Sequence, residues 1–149
     1  MWFDGYHRQF GKRLEEFHAV AIPATLAELT PEQGEQVTQG SKEFPFDAVL
    51  DVLNSKHSYE DKVSRILAIS GTWMNASSGS QWALGPLSST AYSERVGIGV
   101  RWGEIAFSPL LNVAENLIDA YPTWPGVLRE FAENQEFNRD YFSQRLKEI

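Results

Sequence analysis

The sequence predicts an α+β fold: five or six helices packed around a small antiparallel sheet within residues 72–107. Three observations lead there. Apolar residues repeat at helical spacing towards both ends of the chain. Val96, Ile98, Val100 and Trp102 alternate at strand spacing. Residues 71–108 between them are rich in Gly, Ser and Trp. A chain of 149 residues fits one domain, residues 1–149, and its 42% hydrophobic and 13% aromatic side chains bury enough surface to offset the ordering entropy.

Phe3, Tyr6, Phe10, Leu14 and Phe17 step by three and four, so they stack on one side of a helix over residues 2–19, which Pro23 is expected to end. Thr30-Pro31-Glu32-Gln33 then offers a capping hydroxyl, a proline for the first turn and a glutamine placed to reach back. The segment to Gly40 has only Val37 as a large apolar residue, so a short exposed helix or loop is expected. Phe46, Val49, Leu50 and Leu53 form the next stripe, closed at Asn54-Ser55. Ser58 caps another helix with Val63, Ile66 and Leu67, and Gly71 is placed to terminate it.

Beyond Gly71 the periodicity changes. Gly97, Gly99 and Gly103 occupy the opposite phase to Val96–Trp102, which reads as a strand with one bare face and implies a bulge or a close approach by backbone or ligand. Gln81-Trp82-Ala83-Leu84 supplies the hairpin partner across the turn-prone Gly85-Pro86 and Ser88-Ser89. Helix resumes at Ser108-Pro109 with Leu110, Ala114, Leu117, Ile118 and Tyr121. A last helix opens at Thr123-Trp124-Pro125, runs through Val127, Leu128 and Phe131 to Phe137, Tyr141 and Phe142, and has an expected break near Asn134.

The net charge of −7 repels polyanions, so nucleic acid is an unsuitable partner and a basic protein a suitable one. With no cysteine there is no disulfide, thiolate metal site or cysteine nucleophile. The aromatic, charged N-terminus is unlike a signal peptide, and no apolar stretch has bilayer length, so a cytoplasmic protein without membrane contact is expected. The glycosylation acceptor Asn75-Ala76-Ser77 would go unused there.

Catalytic patterns are sparse. Glu15-x-x-His18 has the spacing of a carboxylate-bridged dimetal helix but no second copy, and His7 and His57 complete no ligand set, so neither metal nor cofactor is expected. Ser78-Gly79-Ser80 lacks the elbow of a serine nucleophile, and with Asn75, Ser77 and Gln81 it reads as turn chemistry. The third glycine of Gly97–Gly103 falls one place late for a dinucleotide fingerprint. Arg95 and Arg101 share the phase of the glycines, so an enzyme or ligand site near Gly97–Glu104, with Glu104 as acid or base, is an alternative.

Trp73, Trp82 and Trp102 cluster among glycines and serines, a composition common at interaction surfaces. With Ser78 and Arg101 they are the expected partner contacts, weighed against ordinary core packing. Gly71-Thr72-Trp73, Ser78-Gly79 and Ala83-Leu84-Gly85-Pro86 resemble the Gly-x-Trp, Ser-Asn-Gly-Gly and Ala-Pro signature of plasmid antirestriction proteins, although the paired glycine and its preceding asparagine are missing and the spacing to the proline differs. That resemblance implies a small non-enzymatic inhibitor of a host defence enzyme. The functional expectation is therefore an acidic protein-binding module of inhibitor, immunity or regulatory type. Self-assembly through the aromatic terminal helices is a further alternative.

Overall fold

In the computed structural model, which describes residues 2–87 and 95–148, the N-terminal helix runs past the proline expected to stop it. Helix α1 (Trp2–Glu16) passes through a π-helical turn (Phe17–Ala21) into α2 (Ile22–Glu28), with right-handed helical dihedrals at both junctions. Pro23 lacks an N–H, and its ring crowds the carbonyl four residues back. The π turn absorbs both effects, because the Ile22 N–H already bonds to the Phe17 carbonyl, five residues back, before the ring arrives. Tyr6 and Phe10 pack half-buried against the core, Leu14 and Phe17 are buried, and the side chain of Phe3 lies outside the described residues.

Helix α3 (Pro31–Gln39) carries the expected reciprocal cap: Gln33 N–H donates to Thr30 Oγ1 and Thr30 N–H to Gln33 Oε1, each at 3.1 Å. Its lone large apolar residue, Val37, is fully buried. In α4 (Phe46–Leu53), Ala48, Val49, Val52 and Leu53 face inward.

Helix α5 (Tyr59–Ser78) starts on its Ser58 cap but overruns Gly71 and ends at Gly79, whose φ of 76° is the left-handed conformation that a terminating glycine adopts readily. Residues 72–78, which follow the helix end expected at Gly71, are thus helical. The reason lies in packing: Val63, Ile66, Leu67, Ala68, Ile69, Ser70, Trp73 and Met74 are all buried, so α5 is enclosed and shows no one-sided stripe.

The sheet is antiparallel in the order β1 (Gln81–Pro86), β2 (Val96–Trp102), β3 (Ala106–Pro109). The expected hairpin pairs Trp82 with Val100 and Leu84 with Ile98. A bond from Leu87 N–H to the Arg95 carbonyl (2.9 Å) extends it towards Ser88-Ser89, which lie outside the described residues. Ser108-Pro109 does not open a helix. Ser108 pairs with Val100 in β3, where a terminal proline is tolerated, and α6 begins at Leu111, running to Ala120. Helix α7 (Val127–Lys147) is unbroken at Asn134, because Leu128, Phe131, Ala132, Gln135 and Arg139 carry its buried stripe through. With α1, the π turn and α2 forming one rod, the described residues make six helical rods around three strands, an α+β fold.

Candidate functional site

The tryptophans of the Gly/Ser/Trp-rich middle face inward. Trp73 and Trp102 are fully buried and Ser78 nearly so, which puts these three expected partner contacts out of a partner's reach. A buried indole needs an acceptor for its N–H, and the neighbouring polar residues supply it. Trp102 Nε1 donates to Ser78 Oγ (3.0 Å), which donates in turn to the Met74 carbonyl (2.7 Å). Trp73 Nε1 donates to the Ser41 carbonyl at 2.8 Å. With the Asn75 amide turned so that its oxygen faces the indole, Trp82 Nε1 donates to that oxygen at 3.2 Å and the amide nitrogen donates to the Ser80 carbonyl at 3.1 Å. Ser, Asn and Trp occur together here because a network inside the molecule requires all three.

Trp82 and Arg101 retain partial exposure. Trp82 is wedged between Phe17 (5.1 Å between centroids) and the exposed His18 (5.9 Å), while Arg101 Nη1 lies 3.8 Å from Glu104 Oε1. Among the described residues, the space directly over the glycines of β2 is filled. A methyl group at Gly97 would come within 2.8 Å of Leu87 and Leu111, and one at Gly99 would meet the Phe107 ring, which also covers Gly85. The close approach that these glycines permit is internal packing, with an aromatic ring spread over bare backbone.

Two features were not singled out by sequence reasoning. The first is a cleft of about 210 Å³ whose wall carries Glu28, His57 and Arg65. Arg65 grips the Glu28 carboxylate with two bonds of 2.7 Å, and His57 Nε2 sits 3.3 Å from the same group. Arg65's hydrogen bonds, opposed by some desolvation, hold the Glu28 carboxyl below its usual pKa. Ion-pairing residues 37 positions apart leave no local motif, so no spacing rule finds this site.

The second feature is on α7. Phe137 and Tyr141, which the sequence places along the last helix, are 64% and 47% exposed and stack on each other at 5.8 Å with ring planes 10° apart. Phasing the helix on residues 128, 131, 135, 139 and 142 turns residues 137 and 141 outward. That signal was available, but aromatic residue type masked it. Exposed Glu130, Glu133, Asp140 and Arg145 share the outward side. Among the described residues no three His, Asp or Glu side chains group as a metal site, and no helix is long and apolar enough to cross a membrane.

No protein-family model, curated protein or solved structure matches this chain, so the local resemblance to antirestriction proteins does not extend to a family match.

Proposed function

We propose that this chain is a non-enzymatic, acidic protein-binding module of inhibitory or regulatory type that receives a basic partner on the solvent side of α7. The observation that carries this reading is the stacked pair Phe137 and Tyr141, 64% and 47% exposed although the core holds most other large apolar side chains. Two rings already stacked one helical turn apart lose little further freedom on docking, and aromatic anchors dominate interface energetics. Glu130 and Glu133 precede the pair and Arg145 follows it, in a chain whose net charge of −7 favours basic surfaces over acidic ones. An inhibitor needs a contact surface and no catalytic constellation, which fits the sparse catalytic patterns of the sequence.

The test compares the wild type with Phe137→Ser/Tyr141→Ser and with Glu130→Gln/Glu133→Gln as immobilised baits in extract of the producing cell. The expected result is one basic protein retained by the wild type, held about tenfold or more weakly by the aromatic double variant, and bound more slowly with a flatter salt dependence by the charge variant. Equal retention by the aromatic variant overturns the reading. So does a wild-type solution mass of two chains that reverts to one in that variant, which assigns the patch to self-assembly.

A further inference from the structure

Three cations of this acidic chain, Lys42, Arg139 and Lys147, line one surface groove of about 460 Å³ together with Ser77, Ser143 and a single carboxylate, Asp140. Arg139 is the unusual member. Its side chain is only 10% exposed, and it is held on three sides: Nε donates to Asp140 Oδ1 at 2.9 Å, Nη1 donates to the Ser41 carbonyl at 3.1 Å, and the guanidinium lies 4.7 Å from the Trp73 ring centre. Trp73 is itself fully buried and donates to the same Ser41 carbonyl, so the support is rigid. Among the described residues Nη2 has no acceptor.

A guanidinium fixed in place with N–H groups to spare, beside two flexible ammonium groups and the Ser143 hydroxyl, matches an oxyanion, while the Ser77 hydroxyl is committed to the Trp73 carbonyl at 2.9 Å. The planar fork supplies directed bonds, and the lysines supply charge that adapts to the ligand. The carbonyl ends of α3 and α5 lie close by and also attract cations. That attraction is met by any solvated lysine and does not require an arginine stacked on a buried indole. We propose that this groove, which borders the protein-docking surface on α7 and shares Asp140 with it, binds a multiply charged oxyanion, either inorganic phosphate or the phosphate group of a small metabolite. Its volume falls within the range of about 300–1,000 Å³ usual for small-molecule sites.

The experiment titrates the full chain with sodium phosphate and, separately, with glycerol 3-phosphate, each against sodium chloride of equal ionic strength. Binding is followed by calorimetry and by 1H–15N NMR. Saturable binding is expected, with shifts concentrated at Ser77, Ser143 and the Arg139 side-chain N–H. The Lys42→Gln/Lys147→Gln variant, altered only at exposed positions, is expected to keep its spectrum and bind about tenfold more weakly. Equal affinity for both ligands identifies the phosphate group itself as the ligand, and tighter glycerol 3-phosphate identifies an ester. Chloride reproducing the shifts, undiminished binding by the double lysine variant, or shifts spread over unrelated lysines would overturn the site.

Discussion

At Gly71 a helix backbone and an indole ring share a space that admits no side chain. A methyl group there would overlap the six-membered ring of Trp82, and that ring is hemmed in by Phe17 and His18. Gly71→Ala gains about 1 kcal/mol of helix propensity but incurs an overpacking cost of roughly 1–3 kcal/mol, so a net loss of stability is expected. Gly34, in α3, meets nothing within 4 Å, and the same substitution there is expected to stabilise by about 0.5–1 kcal/mol. Urea unfolding of the two variants checks the pair, and equal signs would contradict the packing argument. The sequence shows Gly71 but not its reason, because Trp82 approaches from another element and reading along the chain gives no distance between them.

Element boundaries were legible wherever a local signal was the whole cause. The Thr30 and Ser58 caps and the hairpin of β1 with β2 all rest on contacts within a few residues or on strict alternation. Thr30→Ala removes one half of the reciprocal cap on α3, and a loss of about 1 kcal/mol is expected from thermal or urea unfolding, with Thr30→Ser restoring most of it. Boundaries were misread where a local breaker was accommodated by an adjusted helical turn or overridden by tertiary packing. Pro23 is accommodated by a wider turn, Gly71 by a neighbouring ring, and Ser108-Pro109 by pairing with β2. α7 shows the converse: Phe137 and Tyr141 have core-type side chains, yet the phase set by Leu128, Phe131, Gln135 and Arg139 turns them to solvent. For that helix, angular position was the more reliable guide to burial than residue type.

At the scale of the molecule, α5 is the shared support. It packs against α2, α3, α4, α6, α7 and the sheet, so long-range ties onto it govern cooperativity. The network of Glu28, Arg65 and His57 is such a tie, joining the end of α2 to α5 and to the segment before it. Three residues scattered over the sequence give no pattern to read, and for the same reason the groove around Arg139 was invisible until the fold brought Lys42 and Lys147 together.

Because Arg65 lowers the Glu28 pKa in the folded protein below the value of 4.5 it has free of these contacts, the folded state favours the carboxylate more than the unfolded state does. The stabilisation is therefore fully present above pH 4.5 and is lost as pH falls through that value towards the lowered folded pKa. Glu28 is 45% exposed, so solvent screening keeps the effect small. His57 and Asp61 also face Arg65 or Glu28, and the measurement is best made in a His57→Gln background so that imidazole protonation does not enter. In that background, unfolding free energies with Glu28 and with Glu28→Gln should differ by a constant amount from pH 8 to about pH 5. The two should converge below pH 4.5, where protonated Glu28 has lost what the amide never had. A difference that grows on acidification has the wrong sign for an ion pair, and would show that Glu28 holds α2 to α5 through its neutral form.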